Sequence, residues 1–144
     1  MNIQEYIEIA APASRIFQYL VDVDNRVDYV PALKEVVMID PLPIREGSRY
    51  IEVATIGGKE LSTTYRVTHF IENKRLSATT EKSVFPISVD LLIDDKEGRS
   101  LLLINMNLKL SGLFKIASPI VKGIVAGQAR GILNKLKANI ENKI

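Results

Sequence analysis

The sequence predicts an α+β domain in which a curved, seven-stranded antiparallel sheet wraps around one long C-terminal helix, with two short helices between strands 1 and 2. Three observations predict it. Residues 2–9 and most of 34–110 alternate polar and apolar side chains, the period of strands that are dry on one face. Gly57-Gly58 and Lys96-Glu97-Gly98-Arg99 stand between such runs as hairpin turns. From about Leu113 the apolar period lengthens to that of a helix. A chain of 144 residues supplies one domain of this kind, spanning 1–144, with one complete core.

The elements follow in order. In Asn2 to Ile9, Ile3, Ile7 and Ile9 fall on one side, as in a half-buried strand. Ala11-Pro12 breaks it, and a short helix starting at Ala13 or Ser14 carries Ile16, Phe17, Leu20 and Val21; a second short helix or turn lies between Asp24 and Pro31, capped by Asp24 or Asn25. Lys34 to Asp40 is strand-like and is ended by Pro41 and Pro43. The Gly57-Gly58 turn, where both positions accept positive φ, sets a register that pairs Ile56 with Lys59, Ala54 with Leu61, Glu52 with Thr63 and Tyr50 with Tyr65. Arg49 and Arg66 then oppose each other and belong in water, so the face bearing Tyr50, Glu52, Ala54, Ile56, Leu61, Thr63, Tyr65 and Val67 points inward. A turn at Glu72-Asn73 leads into a strand through Leu76, Ala78 and Thr80. The last hairpin pairs Ile93 with Leu102, Leu91 with Ile104, Val89 with Met106, Ile87 with Leu108 and Phe85 with Leu110. From about Leu113 onward, Ile116, Ile120, Ile124, Gln128, Ile132, Leu136 and Ile140 form a slowly drifting stripe joined by Val121, Val125 and Leu133, and the uninterrupted helix starts at Pro119 with Ser118 as cap. Gly123, Gly127 and Gly131 recur every four residues, which predicts close approach to the sheet or space for a ligand.

Composition removes much catalytic vocabulary. The chain has no Cys and one His, so disulfides, thiol nucleophiles, Cys-ligated metals and His-rich metal sites within one chain are excluded, and no metal or cofactor is expected. A net charge of +2 is too mild for a nucleic-acid surface, and no nucleic-acid partner is expected. Asp22, Asp24 and Asp28 lack the Gly and the terminal Glu of a calcium loop, and capping accounts for Asp24. The basic excess gathers near the C-terminus, where Lys115, Lys122, Arg130, Lys135, Lys137 and Lys143 face a lone Glu141. The N-terminal residues show no signal-peptide pattern, and charges interrupt 113–133 as a membrane span, so a cytoplasmic location is expected.

The element order, together with Ile7-Glu8-Ile9-Ala10-Ala11-Pro12-Ala13-Ser14-Arg15-Ile16-Phe17, Leu20-Val21-Asp22-Val23-Asp24 and Tyr29-Val30-Pro31, resembles the START-like (SRPBCC) helix-grip superfamily. Within it, the spacing from Asp22 to Pro31 is similar to that of the polyketide cyclase/dehydrase-like and coenzyme Q-binding-like branch, although Arg26-Val27 stands where that branch often has an aromatic-Pro pair. Glu46-Gly47 and the helix end around Leu133 to Ile140 add weaker similarity. The resemblance covers nearly the whole chain and identifies a scaffold rather than a ligand.

It implies a cavity between sheet and helix that binds or transports a lipid, isoprenoid quinone or polyketide-like molecule. On the predicted register its walls are Tyr50, Leu61, Thr63, Tyr65, Val67, Val89, Leu91, Ile104, Met106, Ile120, Ile124 and Gln128, with Tyr29 at the mouth. Glu52 is an inward carboxylate and thus a polar anchor; His69 shares the parity of Tyr65 and Val67 and is predicted to face inward as well. An alternative is a cyclase or dehydratase in which Glu52 or His69 moves a proton. A further alternative is a surface-acting partner of a ribosome or chaperone, which a solid core would favour. The lysines of the last helix suit transient contact with anionic lipid headgroups.

Overall fold

A computed structural model describes residues 1–83, 86–116 and 118–142. The elements are β1 (Asn2–Ile9), α1 (Ala13–Val21), a 3-10 helix (Val23–Asp28), β2 (Leu33–Met38), β3 (Arg49–Ile56), β4 (Lys59–Ile71), β5 (Arg75–Glu81), β6 (Ile87–Asp95), β7 (Ser100–Leu108), a second 3-10 helix (Gly112–Lys115) and α2 (Ser118–Glu141). The strands form one antiparallel sheet of seven in the order β1-β7-β6-β5-β4-β3-β2, so the first strand closes against the last. This is the architecture that the sequence predicts.

The two hairpins keep the predicted register. Gly57 and Gly58 take φ of 58° and 79°, and the turn aligns Ile56 with Lys59, Glu52 with Thr63 and Tyr50 with Tyr65. The β6–β7 hairpin pairs Val89 with Met106 and Leu91 with Ile104. The predicted Phe85–Leu110 pair lies outside the described residues. The second short helix is capped by Asp22, whose Oδ1 accepts from the Asp24 backbone N–H at 3.1 Å, rather than by Asp24 or Asn25.

Helix α2 is held mainly through its C-terminal half. Leu133, Leu136 and Ile140 are almost fully buried in the core cluster that also holds Ile3 and Ile9 of β1 and Ile16 and Leu20 of α1. Arg130 Nη1 donates to Glu5 at 2.9 Å, Lys137 Nζ to the Glu8 carbonyl at 2.8 Å, and the Ala10 backbone N–H to Glu141 at 2.8 Å. Asn139 Nδ2 donates to the Tyr19 hydroxyl at 3.1 Å, tying α2 to α1.

The buried face of α2 follows only part of the predicted stripe. It runs through Val125, Ala129, Leu133, Leu136 and Ile140, whereas Ile116, Ile120 and Ile124 are 81%, 70% and 58% exposed. Steps of four residues advance about 40° beyond a full turn, so five steps from Ile140 back to Ile120 rotate the stripe by about 200°. A strict four-residue repeat therefore cannot keep both its ends on the sheet. The glycine stripe is not explained by close packing either, because a Cβ at Gly123 or Gly131 would meet nothing within 4 Å and one at Gly127 only the Arg130 guanidinium at 3.9 Å.

The corrected face predicts a stability contrast. Leu133→Ala lowers unfolding free energy by about 2–5 kcal/mol, as expected for a buried leucine, and Ile124→Ser changes it by no more than about 0.5 kcal/mol. Urea denaturation followed by circular dichroism measures both.

Candidate ligand-binding cavity

Where β3 to β7 curve away from α2, they leave a cavity of about 210 Å³. Tyr29, Tyr50, Glu52, Tyr65, Val67, Val89, Leu91, Ile104, Met106 and Gln128 all line it, together with Arg26, Leu76 and Ala78. A more open groove shares Val30, Pro31, Glu52, Tyr65 and Gln128 with this cavity and continues past Leu61 and Thr63 to Ile56 at the β3–β4 turn. Leu61 and Thr63 thus belong to the approach rather than to the inner wall.

Four further predicted placements change. Ile120 and Ile124 line neither space, for the rotational reason given above. Tyr29 is 2% exposed, so it is a buried wall residue and not a residue of the mouth. His69 faces solvent, its ring Nδ1 3.2 Å from the Thr68 hydroxyl. A β-bulge between Val67 and His69 inserts one residue into β4 and reverses parity beyond it. Phe70 takes the inward side instead, with its ring edge-on to Phe17 at 5.2 Å.

Glu52 does point inward, and it is not alone. Arg26, from the 3-10 helix, donates from Nε to Glu52 Oε2 at 2.7 Å, and its Nη2 lies 2.5 Å from the same oxygen. The two side chains are 16% and 10% exposed. The guanidinium carbon sits 5.5 Å from the Tyr50 ring centre and 5.9 Å from that of Tyr29, and Nη1 donates to the Tyr29 hydroxyl at 3.5 Å. The Tyr50 and Tyr65 rings stack at 5.6 Å with an 11° interplanar angle. The result is a charge pair inside a tyrosine cage on the wall of an apolar cavity.

Sequence reasoning missed Arg26, although the inward carboxylate was a signal for it. A buried carboxylate needs a cation or several donors, and neither the β3–β4 face nor its hairpin neighbours supply one. Burial by itself disfavours the Arg26 charge, but Tyr50, Tyr29 and Glu52 more than offset this, and its pKa lies above the ordinary value. Leaving one partner of such a pair alone in the interior costs about 3–5 kcal/mol.

The cage tyrosines stay neutral to higher pH than a free tyrosine. Burial pushes the Tyr50 hydroxyl from the ordinary 10 up to about 12, with the Glu52 carboxylate adding to the shift and Arg26 opposing it. Burial raises Tyr65 and Tyr29 also. Among the described residues no cluster of His, Asp and Glu is arranged to hold a metal ion, and no helix is long and apolar enough to cross a membrane.

No protein-family model matches the chain, and no curated protein matches it. Solved structures do. A conserved protein from Geobacillus kaustophilus superposes with a TM-score of 0.82 at 12% identity, covering 99% of this chain and 96% of that one. The ZhuI aromatase/cyclase of a Streptomyces species gives 0.81 at 14% identity, covering 99% and 94%. A START superfamily protein from Mycobacterium smegmatis gives 0.80 at 17%, covering 99% of each chain. The chain therefore has the START-like, SRPBCC helix-grip fold.

The tyrosine shifts carry a pH dependence. A hydroxyl whose pKa is higher in the folded than in the unfolded chain stabilises the fold fully below the unfolded value and loses that contribution as pH rises through the folded one. Stability is thus expected to fall between pH 10 and about pH 12, the interval set by Tyr50. Tyrosinate absorbance and urea midpoints recorded across that interval check it, and Tyr50→Phe should reduce the loss.

Proposed function

We propose that the protein binds a small hydrophobic or amphipathic molecule between its sheet and α2. The observation that carries this reading is the cavity, whose apolar wall of Val67, Val89, Leu91, Ile104 and Met106 is interrupted by one compact polar cluster, Arg26–Glu52 with its tyrosines. Apolar walls supply affinity and a few placed polar groups supply orientation. A ligand that loses about 200 Å² of apolar surface in such a site gains roughly 5 kcal/mol before the costs of binding. Lipid, isoprenoid quinone and polyketide-like rings are the ligand classes we favour, and a soluble, cytoplasmic carrier is the setting.

Binding is favoured over catalysis by proton transfer. His69 faces away from the cavity, and Glu52 Oε2 is held by Arg26. The likeness to an aromatase/cyclase supports the catalytic alternative at the level of fold. A surface-acting partner protein has no need of a cavity, so that reading is the weakest.

Two experiments test the proposal. Native mass spectrometry and organic extraction of purified protein are expected to show a bound hydrophobic molecule or uptake from lipid and quinone panels. Ala78→Phe, which fills the inner wall, should weaken uptake at least about tenfold while circular dichroism is unchanged; an empty cavity across the panels refutes the carrier reading.

Exchange of cargo at an anionic membrane is the second part of the proposal. Ile116, Ile120 and Ile124 lie exposed on the end of the molecule that carries Lys115 and Lys122, and Gln128, one turn beyond Ile124, borders the groove. Apolar anchors with cationic neighbours suit an anionic lipid surface. The protein should sediment with phosphatidylglycerol vesicles and not with phosphatidylcholine vesicles, and Ile120→Asp with Ile124→Asp should abolish the association.

A further inference from the structure

We infer that the Arg26–Glu52 pair selects the charge of the ligand: Glu52 masks the Arg26 cation, so the cavity takes uncharged headgroups that donate a hydrogen bond and rejects carboxylates. The inference rests on the ligand-binding reading above and adds the class of headgroup.

An arginine on the wall of an apolar cavity would by itself be a strong receptor for an anion, because its fork of N–H donors matches a carboxylate in a medium that hardly screens the attraction. Here the side of the fork formed by Nε and Nη2 is already paired with a carboxylate. Nε and Nη2 both address Glu52 Oε2, and Nη1 addresses the Tyr29 hydroxyl. The Tyr50 and Tyr29 rings also lie within 6 Å of the guanidinium carbon. A carboxylate ligand would have to displace Glu52 or lie beside it, which places two anions at one cation in a poorly screened site.

What the pair leaves available is an acceptor. Glu52 Oε1 accepts no hydrogen bond among the described residues, and Glu52 lines both the cavity and the groove. A hydroxyl or amide N–H on the ligand fits that oxygen, with its charge already balanced by Arg26. The hydroxyls of Tyr50 and Tyr65, protonated at neutral pH, provide further neutral partners on the same wall. The polar cluster therefore orients a neutral ligand without attracting the free fatty acids and other apolar carboxylates that an unmasked arginine would collect.

Naphthalene, naphthamide and naphthoate test this, since they share one ring system and differ only in headgroup. The wild-type protein should bind naphthamide at least about tenfold more tightly than naphthoate in fluorescence titrations at neutral pH. Glu52→Gln, which keeps the side-chain shape and removes the charge, should reverse the preference in favour of naphthoate, with thermal unfolding confirming that the variant is folded. Equal binding of naphthamide and naphthoate by the wild type, or an unchanged ratio in a folded Glu52→Gln protein, overturns the inference while leaving the cavity reading intact if naphthalene binds. Failure of all three compounds to bind the wild type overturns both. The wild-type ratio decides the question even if Glu52→Gln does not fold.

Discussion

A sheet of seven strands that is dry on one face has to be covered, and a single helix is too narrow to cover it. Six inter-strand spacings of about 4.8 Å make the sheet roughly 29 Å wide, while a helix with its side chains measures about 10–12 Å across. Curvature brings the edges of the sheet closer to the helix, and α1 covers part of the remainder through Ile16, Phe17 and Leu20. The mismatch that is left is the cavity. Its sheet-side wall is made of inward residues of β3 to β7, and most other features follow from this shortfall.

The Arg26–Glu52 pair answers a problem created by that space. An apolar cavity can stay dry and featureless, but a carboxylate on its wall cannot be left alone, and the 3-10 helix after α1 delivers the cation it needs. The same short helix delivers Tyr29 just beyond its end, so one local segment supplies both the partner of Glu52 and part of the aromatic cover of Arg26. Stacking of Tyr50 on Tyr65 across β3 and β4 fixes the opposite side of the cage. Five side chains from three elements thus contact one another, and the cluster is polar where the rest of the wall is mainly apolar.

How much of this was legible depends on the range of the interaction. The Gly57-Gly58 turn fixes φ locally and the β3–β4 register follows from it, so the inward direction of Glu52 was readable from two residues and a parity count. His69 was misplaced because a bulge changes that parity. The sign of it was present, since Val67 and Phe70 are apolar residues three apart and cannot both face inward in a regular strand. Ile120 and Ile124 were misplaced because a four-residue repeat resembles a stripe over two turns and winds off the face over six. Arg26 was beyond local reading, for its partner lies 26 residues away and its charge reads as a surface residue until the cavity is known.

The glycines of α2 complete the physical account of the cavity's cover. Gly123, Gly127 and Gly131 each cost about 1 kcal/mol relative to Ala in a helix interior, and no neighbouring atom forbids a methyl group at Gly123 or Gly131. The cost is therefore not repaid by close packing. Gly123 and Gly127 fall in the half of α2 that exposes Ile120 and Ile124, on either side of the turn leading to Gln128 at the groove; the ion pairs and hydrogen bonds to β1 and α1 begin only at Arg130. Helix α2 is thus weakest in intrinsic propensity where it is least held by tertiary contacts, and strongest where Leu133, Leu136 and Ile140 anchor it. Local opening costs least at the end that borders the groove, so the element that closes the cavity is also the one whose partial loosening disturbs the core least.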